Sequence, residues 1–198
     1  MHEFVLASSN PGKIKEFNSI LEGTHYCVRP QEEWGIESIE ETGLSFIENA
    51  ILKARHASRW SGLPAIADDS GLIVDALGGA PGIYSARYAG EGALMSENIA
   101  KLLKEMELVP AEKRSARFCC VIVSMKTADD PNPLIFQSFW EGEILTAPRG
   151  KNGFGYDPIF YVPTHRCSSA ELDSVVKNKI SHRAQSLTQL REYYEKLD

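Results

Sequence analysis

The chain has 198 residues, 43% of them hydrophobic and 24% charged, with a formal net charge of −6. This is enough for one α/β domain with a sizeable core, or for two lobes sharing a sheet, and a single folding unit over residues 1–198 is expected. No apolar run approaches a membrane span and no secretory pattern opens the chain, so the cytosol is the expected compartment, with no membrane partner. The acidic balance argues against a nucleic-acid polymer as partner, because such binding rests on accumulated phosphate neutralisation.

Cys27, Cys119, Cys120 and Cys167 contain no CxxC pair and read as reduced thiols, with Cys119 and Cys120 facing opposite sides of a strand. Glu3–Ala7 reads as a buried first strand, and Ile14, Phe17, Ile20 and Leu21 recur at helical spacing. Between them, Ser8-Ser9-Asn10-Pro11-Gly12-Lys13 is either an anion cradle at a helix N-terminus or a plain connection in which Ser or Asn caps the helix. The Walker spacing is absent.

Residues 26–29 read as a short strand and 31–39 as loop. Ser45 with Glu48 forms a capping box, and Leu44, Ile47, Ile51, Ala54 and Ala57 make an apolar stripe that predicts a helix to about Trp60. Glu40-Glu41 precede that helix, where its dipole stabilises acid with or without a function. Lys53 is either a solvated face residue or a phosphate ligand.

Ile66-Ala67 runs into Asp68-Asp69-Ser70-Gly71 and then Leu72-Ile73-Val74: two strands broken at Ser-Gly, presenting two carboxylates at the turn. Such acids hold a divalent metal, take a proton from water, or merely cap backbone amides. Gly78–Gly90 is a long glycine-rich connection, read as a functional or partner-facing loop in which Arg87 forks onto an anion or sits in a surface ion pair. Ser96 is expected to cap a helix through Met106. Residues 116–125 and 134–140 are expected to form a hairpin, which makes the sheet mixed.

Arg149–Pro158 is a second glycine-rich loop; its Phe154 is a base-stacking platform or a plug of the core. Ser168–Glu171 is another capping box. Lys177, His182 and Arg183 lie upstream of a terminal helix whose buried stripe is Leu187, Leu190, Tyr194 and Leu197; they are donors for an oxygen-rich ligand or surface charge. Carboxylates for a metal, lysines for polyphosphate, and an aromatic with a basic tail for a base together fit a nucleoside triphosphate.

Seven motifs in register carry a resemblance across nearly the whole chain: Ser8-x-Asn10-x-x-Lys13, Glu41-Thr42-Gly43, Glu48-Asn49-Ala50-x-x-Lys53-Ala54, Ala67-Asp68-Asp69-Ser70-Gly71, Gly82-Ile83-Tyr84-Ser85-Ala86-Arg87, Gly153-Phe154-Gly155-Tyr156-Asp157-Pro158 and Ser181-His182-Arg183. In them the chain resembles the inosine/xanthosine triphosphate pyrophosphatase family of the bacterial RdgB type. The resemblance implies an α/β fold with a mixed, elongated β-sheet flanked by helices, two lobes around a central cleft, and a homodimer. It also implies Mg²⁺-dependent hydrolysis of dITP, ITP and XTP to the monophosphate and pyrophosphate, cleansing the nucleotide pool.

By the same resemblance, Asp69 is the base. Glu41 and Asp69 hold the metal, with Glu40 the alternative to Glu41, which is favoured by its place before Thr-Gly. Substrate contacts are expected from Ser8, Ser9, Asn10, Pro11, Gly12, Lys13, Lys53, Ser70, Phe154, Gly155, Tyr156, Asp157, Lys177, His182 and Arg183. Ser8 stands where relatives often carry Thr, and keeps the hydroxyl. Phe154 is expected to stack on the purine while Lys177, His182 and Arg183 donate to a keto oxygen at its six-position, which rejects adenine. A nucleotide sensor and a single-stranded nucleic-acid binder are the competing readings.

Overall fold

The first apolar run, flanked by residues that extend readily, forms β1 (His2–Leu6), and Asn10 then starts α1 (Pro11–Leu21). The computed structural model describes residues 2–197; Met1 and Asp198, the ends of the expected folding unit, lie outside the described residues. There follow β2 (Tyr26–Pro30), α2 (Phe46–Ser61), β3 (Ala65–Val74), α3 (Met95–Glu105), β4 (Ser115–Met125), β5 (Leu134–Ile144), β6 (Phe160–Val162), β7 (Cys167–Ser168), α4 (Ser174–Ile180) and α5 (His182–Glu195). The strands form one seven-stranded sheet in the order β2-β1-β3-β4-β5-β6-β7. β1 pairs in parallel with β2 and β3, whereas β5–β6 and β6–β7 are antiparallel, so the sheet is mixed, as expected. No helix among the described residues is long and apolar enough to cross a membrane.

The chain groups into two compact units. The first contains the residues up to Asp69, Cys120–Ser138 and the segment from Arg183; the second contains Ser70–Cys119 and Phe139–His182. In the first, Leu6, Phe17, Ile66, Ile122 and Leu187 are essentially without solvent contact and form the centre of its core. In the second, Leu72, Leu102, Met106, Ile159 and Phe160 play that part.

Several local expectations are corrected. β3 does not break at Ser70-Gly71: it runs unbroken for 10 residues with nearly every position buried. β4 lies beside it, β1 pairs with its first two residues, and beyond them the Leu72 amide donates to Ser85 Oγ and the Val74 amide to the Ala80 carbonyl; these bonds outweigh the weak strand preference of Asp, Ser and Gly. Because side chains alternate along a strand, Asp68 and Asp69 must point to opposite faces. Leu44 is 84% exposed and leaves the α2 stripe to Ala50, Ala54 and Ala57. α3 starts from Leu94 and not Ser96, since the Glu97 carboxylate turns back to accept from the Leu94 amide at 2.6 Å. The Ser168–Glu171 box forms and opens a single 3-10 turn, Ser169–Glu171. His182 and Arg183, expected upstream of the last helix, are its first two residues. The loop at 78–90 is packed: a 3-10 helix, Gly82–Arg87, buries Ser85, whose hydroxyl accepts from the Leu72 amide at 2.9 Å. Arg87 makes an ion pair with Glu91 and lies over the Tyr84 ring.

Candidate active site

In the first unit, three elements bring basic and acidic side chains together. Asn10 caps α1: its side-chain oxygen accepts from the Gly12 and Lys13 amides at 2.9 and 3.3 Å, and its own amide donates to Ser8 Oγ. That cap fixes Lys13 one turn into the helix, where its ammonium is ion-paired with the Asp68 carboxylate. From α2, Lys53 places Nζ 2.7 Å from both Glu41 Oε1 and Asp69 Oδ1. Arg183 is 3% exposed, with Nε 2.9 Å from Asp68 Oδ2 and a terminal nitrogen 2.5 Å from Glu16 Oε2. A cavity of about 180 Å³ is lined by Ser8, Ser9, Asn10, Lys13, Glu41 and Lys53, among others.

The adjacent aspartates have opposite acidities. Burial acts to raise the Asp68 carboxyl, yet the Arg183 and Lys13 charges hold it well below the usual carboxylate range. Asp69 is raised, because burial and the nearby Glu41 charge outweigh the attraction of Lys53. Burial alone would lower Lys53, but Asp69 and Glu41 raise it, so it stays an ammonium. The Cys120 thiol donates to Asp68 Oδ2 at 3.4 Å and is raised well above its ordinary value by burial first and Asp68 second. It is inert at neutral pH.

In the second unit, the 150–158 loop is organised by Asp157, which is 2% exposed. Its carboxylate accepts from the Phe154 amide at 2.8 Å, from Ser169 Oγ at 2.8 Å and from Lys177 Nζ at 2.6 Å. Gly153 makes this possible: its φ is +75°, and a Cβ there would lie 2.0 Å from Asp157 Oδ2. Lys177 also stands 4.9 Å from the Phe154 ring centroid, and Phe154 itself is 39% exposed. Tyr156 turns into the core and donates to the Ser85 carbonyl at 2.9 Å, with burial raising its phenol. His182 is stacked on Phe118 at 4.8 Å and 11°.

A sequence model described as the Ham1 family matches residues 4–193. The chain belongs to the Ham1 family. It is 58% identical over 187 residues to the dITP/XTP pyrophosphatase of Yersinia pseudotuberculosis, covering 94% of this chain and 95% of that one. To the dITP/XTP pyrophosphatase of Photobacterium profundum it is 55% identical over 190 residues, 96% of each chain. A solved Ham1 protein from Coxiella burnetii superposes with a TM-score of 0.94 at 52% identity, covering 99% of this chain and all of the other.

Within this Ham1 chain, the expected site residues divide by unit. Ser8, Ser9, Asn10, Lys13, Glu41, Lys53 and Asp69 fall in the first, with Pro11 and Gly12 as the opening residues of α1. Phe154, Gly155, Tyr156, Asp157, Lys177 and His182 fall in the second, as does half-buried Ser70. Glu40 is exposed, and Glu41 pairs with Lys53. Arg183, expected as a donor to the six-keto oxygen, has its guanidinium paired with Asp68 and Glu16 in the first unit. Tyr156 and Asp157 build the loop from beneath. Glu16, one turn beyond Lys13, was missed; its only sequence signal is an acid on the same helix face as Lys13.

The oxygen donors fit a hard divalent cation. Asp69 Oδ2 is buried without a hydrogen-bond partner, and the Glu41 and Asp69 carboxylates already share one cation, the Lys53 ammonium. Among the described residues no three His, Cys, Asp or Glu side chains converge. A metal there must therefore fill its shell with water and ligand oxygens, as Mg²⁺ does on phosphates.

Proposed function

We propose that this chain hydrolyses purine nucleoside triphosphates bearing a six-keto group, dITP, ITP and XTP, to the monophosphate and pyrophosphate, with Mg²⁺ as cofactor. It then acts as a homodimer in the cytosol and cleanses the nucleotide pool. The observation that carries the reading is the Lys53 ammonium shared by Glu41 and Asp69, with the second Asp69 oxygen buried and unpartnered. The names of its Ham1 relatives support the same substrate class.

In this proposal Ser8, Asn10, Lys13 and Lys53 grip the polyphosphate, and Ser70 adds a contact from the strand next to Asp69. Glu41 and Asp69 would hold Mg²⁺, which would supply neutralisation of phosphate charge and activation of water. Lys53 fixes one Asp69 oxygen; the other takes the proton of the attacking water. The water oxygen bonds to phosphorus as the anhydride linkage between the α- and β-phosphates breaks, and the electron pair stays on the bridging oxygen of the half that departs, so that the products are the monophosphate and pyrophosphate. General-base help from Asp69 would be worth about 10²–10⁴-fold. Charge neutralisation by the metal and two lysines is the larger share.

At the base end, Phe154 offers an exposed ring face for stacking, with Lys177 and His182 as donors to the six-keto oxygen. A six-amino group would set donor against donor and leave buried groups unpaired. Arg183 serves here by holding Asp68, which in turn holds Lys13. The test is pyrophosphate release from dITP with Mg²⁺ and after chelation. The proposal expects stoichiometric dIMP and pyrophosphate with the metal and none without it. Undiminished release in chelator, or orthophosphate as the product, contradicts it.

A further inference from the structure

The segment that carries Glu41 has no regular structure, and of residues 37–43 none is buried. Its place is set by polar contacts to α2. Asn49, fully buried, accepts from the Gly43 amide through Oδ1 at 2.8 Å. Lys53 meets the Glu41 carboxylate. His56 Nε2 lies 3.0 Å from the Glu37 carbonyl, which only accepts, so the ring nitrogen donates. Positions 49, 53 and 56 recur at i, i+4 and i+7 and therefore share one face of the helix. The contacts run in antiparallel order: 49 to 43, 53 to 41, 56 to 37.

Close approach at the first contact is built into the sequence. A Cβ on Gly43 would lie 2.6 Å from Glu48 Cβ and 2.7 Å from Asn49 Oδ1. Glu48 secures the next turn by accepting from the Leu44 amide at 2.9 Å. The metal-facing carboxylate thus hangs on a strap pinned on either side of the lysine that it meets.

We propose that Asn49 and His56 are positioning residues for Glu41, pinning the 37–43 segment along α2 so that this carboxylate is set before the metal and substrate arrive. The inference rests on Glu41 being a metal-facing carboxylate. Neither side chain touches Glu41 in the contacts described; each acts through the backbone of its segment. Pre-set ligands spare the metal the entropy of ordering a loop, so releasing a pin weakens metal binding before it slows chemistry.

The experiment uses the full chain and two readouts: Mn²⁺ half-saturation by water-proton relaxation, and hydrogen exchange of amides 37–43. Asn49→Ala and His56→Ala are expected to raise half-saturation by about fivefold each, the worth of one hydrogen bond, and to speed exchange in the segment. Asn49→Asp keeps an acceptor for the Gly43 amide and His56→Gln keeps a donor for the Glu37 carbonyl, so both restore protection. His56 lies at the rim of the helix, so its variants report even where Asn49→Ala fails to fold. In a Glu41→Gln background the effect on half-saturation vanishes, because the carboxylate being positioned is gone. Half-saturation within twofold of wild type in both alanine variants, with Glu41→Gln weakened, overturns the positioning role alone. Unchanged half-saturation in Glu41→Gln itself overturns the metal reading of Glu41, while the exchange rates still decide whether the two residues pin the segment.

Discussion

Asp68 and Asp69 are one peptide bond apart and do opposite jobs because their surroundings differ. Asp68 is a buried anion answered by Arg183 and Lys13, and its pKa is held below the ordinary value of 3.8. A carboxylate depressed on folding stabilises the native state above its unfolded pKa, and that stability is lost as pH falls through the folded value. Asp68→Asn leaves buried Arg183 and half-buried Lys13 under-compensated and should cost about 3 kcal/mol at pH 7, while flattening the loss of stability below about pH 4. Urea unfolding of both proteins between pH 3 and 7 measures this; an unchanged acid slope argues against the assignment. For Asp69 the sign reverses. Its pKa is raised, and Lys53 is the charge that keeps it from rising further. Lys53→Met should therefore move the acid limb of kcat/KM to higher pH, besides lowering the plateau through the lost phosphate contact. A limb that stays in place or moves down contradicts Asp69 as the titrating base.

At the scale of elements, a cap and a glycine position the two ends of the candidate site. Asn10→Ala removes the acceptor for two α1 amides and should cost about 1 kcal/mol of stability, read by thermal or urea melts. Gly153→Ala forces Asp157 off the Phe154 amide and Lys177, so the loop that presents the stacking ring should loosen. A rise in KM for dITP of about tenfold with a smaller change in kcat is the expected signature of lost ground-state binding. What was legible at this scale was local. The Ser45–Glu48 box and the place of Ala54 and Ala57 on the buried stripe of α2 are each written within a few residues of sequence. The unbroken β3 was not legible, because Ser-Gly reads as a breaker until β4 and the 80–85 segment, distant in sequence, are seen to hold the strand. Nor was the place of Arg183, whose partners Glu16 and Asp68 are more than a hundred residues away in sequence. Only seven motifs in register made the site readable; any one of them fits a structural role as well.

For the whole molecule, the division into units assigns the chemistry. The lysines and acids proposed for phosphate and metal belong to the unit containing the residues up to Asp69, Cys120–Ser138 and the segment from Arg183, and the aromatic loop proposed for the base belongs to the unit of Ser70–Cys119 and Phe139–His182. The chain passes from one unit to the other at Asp69–Ser70 and at His182–Arg183, inside two of the motifs that carry the family resemblance. If binding energy from the base supports chemistry on the phosphates, as the proposed function requires, tripolyphosphate, which lacks the base, should lose kcat as well as affinity. Selection of the six-keto purine over adenine is the central claim, and the direct measurement is kcat/KM for pyrophosphate release from dITP and dATP side by side in saturating Mg²⁺. We predict a preference for dITP of at least about 10²-fold, the scale on which a hydrogen-bonding site rejects a mismatched partner. Equal values for the two nucleotides would contradict the account.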